Sequence, residues 1–157
     1  MHSRNERGFS LVELILALGL LAGVMLAIAG MFSIGGKQVK SGRTSSEALA
    51  VGRQILEEMN GWAYRQTYEN FGLDGAAASY SVDTRANTST FAQKWHATLQ
   101  SKLGASAYAT IALSSVVGTG TAPVMNSAVA KNYRVTVTVH WNEITRPRTV
   151  TVATVRM

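Results

Sequence analysis

Residues 7–32 read RGFSLVELILALGLLAGVMLAIAGMF and carry the strongest pattern in the chain. The segment opens with an arginine and a glycine, and residues 14–32 are nineteen consecutive residues without a charge. A helix of that length extends about 28 Å, close to the thickness of about 30 Å of the hydrocarbon core of a membrane. The sequence therefore predicts one N-terminal transmembrane helix.

One carboxylate, Glu13, lies at the head of this apolar run. A charge at the centre of a transmembrane helix costs about 2.5–3.5 kcal/mol on insertion scales, and less near the interface. The apolar run contains no cation that could neutralise Glu13. The carboxylate therefore either reaches the lipid headgroups or pairs with a cation outside its own helix.

Three kinds of N-terminal segment share parts of this pattern. A secretory signal has a shorter apolar stretch, of about 7–15 residues, and a cleavage site after small residues on its far side. A plain signal anchor fits the length but gives no reason for Glu13 or for Gly8 before Phe9. Residues 7–14, RGFSLVEL, closely resemble the third kind, the signature of type IV prepilins and pseudopilins. That signature is a basic leader, glycine, phenylalanine, four more residues ending in glutamate, and then the membrane helix.

The resemblance implies a role for each residue of the signature. Gly8 would be the last residue of a leader over residues 1–8, and Phe9 the first residue of the mature chain. A prepilin peptidase would cut between them on the cytoplasmic face and methylate the new N-terminus. Glu13 would pair with the N-terminal amine of a neighbouring pilin or pseudopilin, because a buried charge persists only when it is paired.

The charges on either side of the span bear on its orientation. Arg4 and Arg7 precede the helix and favour a cytoplasmic leader, whereas Lys37, Lys40 and Arg43 compete from the other side. The resemblance favours the cytoplasmic leader. The transmembrane helix, residues 9–34, would then cross the inner membrane in contact with lipid. Residues 35–157 would form a periplasmic domain, and the protein would later enter a pilus or pseudopilus.

Small residues recur along the span at Gly19, Gly23, Ala27 and Gly30. The first two form G-x-x-x-G, a spacing that lets helix backbones approach closely where lipid gives no hydrophobic drive. The stripe fits either helix packing within a filament or the ordinary use of glycine in membrane helices.

Residues 35–157 begin with a helix and a region of variable composition. The apolar spacing predicts an amphipathic helix at about 44–60, which either continues the first helix or starts afresh at residues 44–46. Residues 63–87, rich in Gly, Ala, Ser, Asn and Tyr, predict a long variable surface loop with a short strand at 80–83. Apolar residues at every fourth position from Phe91 to Leu103 predict a short helix over 91–103.

Alternation of apolar and polar residues is clearest at the C-terminus. Every second residue from Tyr133 to Trp141 is apolar, and the chain returns with Val150 and Val152 on one face. Residues 133–156 therefore predict an antiparallel hairpin whose apolar face packs on the helix at 44–60. Val155 is out of phase, which predicts a bulge or an early strand end.

This order of elements extends the resemblance to the type IV pilin fold, an α+β fold in which a long N-terminal helix packs on a small antiparallel sheet. The valines that lead to Trp141, and the short helix around Trp95, are similar to those of V-type minor pilins and of the I-type minor pseudopilin of type II secretion. The absence of cysteine agrees, since many major pilins carry a C-terminal disulfide. We therefore expect a minor subunit that helps to initiate a type IV pilus, with a minor pseudopilin of type II secretion as the alternative.

Residues that could carry chemistry are sparse. His2, His96 and His140 are far apart in the sequence, and no paired carboxylates or nucleophile motif occurs. His96 lies off the apolar stripe of its helix, which predicts a solvated side chain. Asp74 and Asp83 lack the oxygen-rich neighbours of a calcium loop. We expect no catalytic residue, no metal and no cofactor.

The net charge of +6 is spread singly along the chain from Lys37 to Arg156, without a basic run or a nucleic-acid motif. This favours a solvated basic surface over nucleic-acid binding. Two further functions stay open, namely a pilus-borne adhesin or DNA-binding subunit that uses residues 63–87, and a membrane-anchored enzyme with an unfamiliar site.

Overall fold

The first helix, α1, runs without a break from Leu11 to Asn60 in the computed structural model of this chain. The structure describes residues 10–116, 121–129, 132–143 and 146–156, and it divides into two units, Met1–Ser41 and Gly42–Met157. No proline precedes Pro123, so nothing in the sequence forces the helix to stop early. The helix does not start afresh at residues 44–46. The Ser46 hydroxyl instead donates to the Gly42 carbonyl at 3.0 Å, as a serine inside a helix does.

In the first unit, α1 exposes its apolar side chains along its whole described length. The large apolar side chains from Leu11 to Val39 are 48–77% exposed. Among the described residues, α1 is the one helix long and apolar enough to cross a membrane. No other part of the chain that the structure describes buries this apolar surface.

In the second unit, the last three turns of α1 pack on a sheet. Their buried face consists of Ala48, Val51, Gly52, Ile55, Leu56 and Met59. The helix backbone comes close to the sheet at Gly52, where an added Cβ would lie 3.0 Å from Val152 Cγ2 and 3.6 Å from Val139 Cγ2. Glycine at this position lets the helix backbone meet the sheet.

The sheet has four antiparallel strands in the order β1 (Ser79–Asp83), β2 (Tyr108–Val116), β3 (Asn132–Glu143) and β4 (Arg146–Arg156). Alternate residues of β2 and β3 are buried, and they form the core with the face of α1. β3 and β4 form the hairpin predicted at 133–156, and Val150 and Val152 pack against the core as expected. The chain is therefore α+β, with a long apolar N-terminal helix and a four-stranded antiparallel sheet.

The predicted bulge near Val155 is wrong. β4 pairs with β3 without interruption as far as Tyr133↔Arg156, so Val155 points outward and Arg156 takes the inward position. Arg156 Nη1 donates to the carbonyls of Met59 at 3.2 Å and Trp62 at 2.7 Å, and to the Tyr133 hydroxyl at 2.6 Å. A polar residue continues the inward face because it supplies donors to carbonyls at the C-terminal end of α1.

The segment 63–87, predicted as a surface loop, is largely folded against the core. It contains a short helix, α2 (Gln66–Glu69), and the edge strand β1, which includes the predicted 80–83. Thr67, Tyr68, Phe71 and Val82 are buried. The composition of the segment is polar, but these few large side chains anchor it to the core.

Helix α3 spans Thr90–Leu103, where the sequence predicts a helix over 91–103. The Ser89 hydroxyl accepts a hydrogen bond from the Ala92 amide at 3.2 Å and caps the N-terminus. Gly104 follows the helix with φ +98°, a conformation that favours glycine. Trp95 and Leu99 are buried in the core, so the four-residue spacing marks the inward face.

Candidate functional site

Glu13 lies in the first turn of α1 and is exposed. A carboxylate in the first turn of a helix interacts favourably with the partial positive charge of the N-terminal amides. No ion pair within the described residues involves Glu13. A cation for Glu13, one of the two alternatives that the sequence leaves open, is therefore not supplied by the part of the chain that the structure describes.

The four small residues of the span share one face of α1. At about 100° per residue, Gly19, Gly23, Ala27 and Gly30 fall within an arc of about 80°, and Glu13 lies about 40° beyond the Ala27 edge. A Cβ added at any of the three glycines would meet no atom within 4 Å. The face is open, and small residues at this spacing let a second helix approach closely.

The predicted cleavage site, Gly8 and Phe9, lies outside the described residues, as does His2. Cleavage and methylation there stay predictions. No group of three or more His, Asp or Glu side chains in the described parts of the chain could hold a metal ion.

A cleft of about 480 Å³ opens at one end of the sheet, between α3 and the hairpin. It brings together residues that are far apart in the sequence. The side chains that matter to its chemistry are Arg85, His96, Tyr108, His140, Trp141 and Arg148. No sequence motif marks this cleft.

The rim of the cleft is an aromatic and cationic stack. The Tyr108 ring lies flat against His140, with centroids 4.5 Å apart, and Arg85 Cζ lies 3.6 Å from the Tyr108 centroid. Arg85 also donates to both carboxylate oxygens of Asp83, and this pairing lowers the pKa of Asp83. Burial lowers the pKa of His140, and the nearby Arg85 adds to that effect, whereas Asp83 opposes it. His140 is therefore held toward its neutral form.

The floor of the cleft contains two polar atoms without partners. His96 Nδ1 and Trp141 Nε1 are buried, and no hydrogen bond to either is formed by the described residues. His96 is therefore half-buried rather than solvated as predicted. The sequence carries one partial signal, since Trp141 ends the alternating strand of the hairpin predicted at 133–156. The register in the structure places Trp141 opposite Arg148.

No protein-family model, curated protein or solved structure matches this chain. The resemblance to prepilins therefore rests on the residues that carry it, and above all on residues 7–14.

Proposed function

We propose that this chain is a minor pilin-like structural subunit that is processed by a prepilin peptidase and assembles into a type IV pilus, where it helps to initiate the filament. The single observation that carries the proposal is Glu13. It is an exposed carboxylate directly before residues 14–32, an exposed apolar stretch of α1 without a charge, and no described residue forms an ion pair with it.

The remaining architecture supports the proposal. A long apolar N-terminal helix and a small antiparallel sheet are the elements that the prepilin resemblance implies. The open small-residue face at Gly19, Gly23, Ala27 and Gly30 would let neighbouring helices pack closely. Lateral packing of such helices would place the amine of one mature N-terminus near Glu13 of the next.

Processing and topology complete the proposal. The leader would remain in the cytoplasm, a prepilin peptidase would cut after Gly8 and methylate Phe9, and the folded domain would lie in the periplasm. The free amine created at Phe9 is the cation that Glu13 lacks. No chemistry is assigned to the domain, and its role would be contact with other minor pilins.

Replacing Glu13 with alanine tests the proposal. Breaking a buried ion pair costs about 3–5 kcal/mol, which corresponds to a loss of incorporation by about two orders of magnitude or more. We expect Glu13→Ala to insert into the membrane normally and to be nearly absent from sheared filaments by immunoblot. Glu57→Ala is the matched control, because Glu57 is an exposed carboxylate further along the same helix.

Normal incorporation of Glu13→Ala would contradict the pairing role. The same strains distinguish the alternative of a minor pseudopilin. If the variant leaves surface pili intact but stops secretion of a type II substrate, the filament is a pseudopilus.

A further inference from the structure

The cleft between α3 and the hairpin is not used by the proposed function, and its lining has a consistent chemistry. The residues around it contribute guanidinium, imidazole, indole, amide and hydroxyl groups, and no aspartate or glutamate lines it. Its volume of about 480 Å³ lies within the range of about 300–1,000 Å³ that is typical of sites for small ligands.

Two polar side-chain atoms of residues in this lining are buried without hydrogen-bond partners among the described residues. Trp141 is 3% exposed, and its Nε1–H has no partner among the described residues. His96 lies on α3, and its Nδ1 likewise has no partner among the described residues. An unpaired buried polar group costs as much as a lost hydrogen bond, and native structures contain few of them. Two of the three such atoms in the described residues, Tyr64 Oη being the third, belong to residues that line this cleft, and a ligand with polar atoms would satisfy them.

Arg148 adds a charged donor to the same place. It lies directly opposite Trp141 in the hairpin register, so the two side chains emerge from neighbouring positions on the same face of the sheet. Its Nε donates to Glu143 Oε2 at 3.2 Å, and its two Nη atoms have no partner in the described part of the chain. A guanidinium with two available N–H groups suits a carboxylate.

The charges around the cleft favour a ligand with one negative charge over a ligand with two. Asp83 and Glu143 already pair with Arg85 and Arg148, so the rim is close to neutral overall. α3 ends at Leu103, next to the lining residues 105–107, and the C-terminal end of a helix carries a partial negative charge. The partial negative charge at the end of α3 would disfavour binding of a doubly charged phosphate more than binding of a singly charged carboxylate.

We propose that the cleft binds a carboxylate through the two Nη atoms of Arg148 and the Nε1–H of Trp141. His96, in its Nδ1–H form, is the third donor. The carboxylate comes either from a small organic acid or from an acidic side chain of another protein, since the binding chemistry is shared. This inference does not depend on the proposed assembly role.

The indole N–H resonances of the full chain in detergent micelles test this inference. The chain has three tryptophans, and Trp141→Phe identifies the resonance of Trp141. We expect sodium acetate, raised to about 50 mM, to shift that resonance saturably, because a site of millimolar affinity fills in this range. Sodium chloride at equal ionic strength is the reference and should not shift it. The Trp95 resonance should stay in place, because Trp95 Nε1 already donates to Glu58 Oε2 at 2.8 Å.

Two arginines of β4 supply a matched comparison. Arg148→Gln should weaken acetate binding by about tenfold or more, the effect of losing a charge-assisted donor. Arg146→Gln, on the same strand but outside the cleft lining, should leave binding unchanged. The inference is overturned if acetate gives no saturable shift, if chloride gives the same shift, or if both variants weaken binding equally.

A blocked peptide separates the two sources of the carboxylate. Acetyl-Ala-Glu-Ala-amide that binds about tenfold more tightly than acetate would indicate a protein side chain. Binding of acetate that equals or exceeds that of the peptide would indicate a small acid. Both results require the carboxylate site itself.

Discussion

Glu58 links α1 to α3 through two hydrogen bonds. Lys94 Nζ lies 2.7 Å from Glu58 Oε1, and Trp95 Nε1 donates to Oε2 at 2.8 Å. Burial raises the pKa of Glu58, but the hydrogen bonds from Lys94 and Trp95 and the charge of Lys94 together outweigh it, so the pKa lies below its ordinary value. A carboxyl group with a lowered folded-state pKa stabilises the fold above the unfolded pKa of about 4.3, and this stability is lost as pH falls through the folded pKa.

Glu58→Gln should therefore destabilise the domain in a pH-dependent way. Because the Lys94 side chain is 57% exposed, we expect a loss of only about 1 kcal/mol at neutral pH. The loss should shrink at acidic pH, below the folded-state pKa, where the wild-type carboxyl is also protonated. Urea unfolding of the full chain in detergent, followed by tryptophan fluorescence, measures both values. Glu57→Gln is the control, and an equal loss at both pH values would contradict the role of the charge.

Arg156 is a residue whose inward position could not be predicted from the pattern of apolar residues in β4. The inward face of β4 continues through Thr154 and Arg156, and neither is apolar. A period of two in hydrophobicity cannot distinguish a polar residue that bonds inward from one that faces water. The partners of Arg156, the carbonyls of Met59 and Trp62, are more than ninety residues away in sequence, so no local pattern reveals them.

At the scale of elements, the close approach of α1 to the hairpin depends on Gly52. Gly52→Leu would force side-chain atoms against Val152, where even a Cβ would lie at 3.0 Å. Overpacking costs about 1–3 kcal/mol, and the gain of up to about 1 kcal/mol in helix propensity offsets part of it. We expect a net loss of about 1–2 kcal/mol in urea unfolding. Gly42→Leu, on the same helix with no atom within 4 Å of its Cβ position, should be neutral or stabilising, and equal losses at both glycines would contradict the packing argument.

Elements with a strong local period could be predicted from the sequence. α3 and the hairpin lie within one residue of their predicted limits, because capping by Ser89, the stop at Gly104 and strict alternation are local signals. Within residues 63–87 only the strand at 80–83 could be predicted, because the order of the rest depends on distant contacts. The Thr67 hydroxyl, for example, donates to the Tyr133 hydroxyl at 3.1 Å across 66 positions of sequence.

At the scale of the whole molecule, the two candidate sites differ in how far the sequence shows them. Glu13 and the small-residue face are read directly from one helix, because their spacing is local. The carboxylate cleft draws Arg85, His96, Trp141 and Arg148 from different elements. These residues come together only through the register of the sheet and the position of α3, so no local sequence motif identifies the cleft.

The mass of the mature protein, isolated from its own membrane, tests the central claim most directly. Processing by a prepilin peptidase predicts a chain that begins at Phe9, lacks residues 1–8 and carries one methyl group on its N-terminal amine. A second culture without the peptidase should yield the uncut chain, which shows that the enzyme is responsible. A mature chain that retains residues 1–8 in the presence of the peptidase would contradict the account, because Glu13 would then have no new amine to meet.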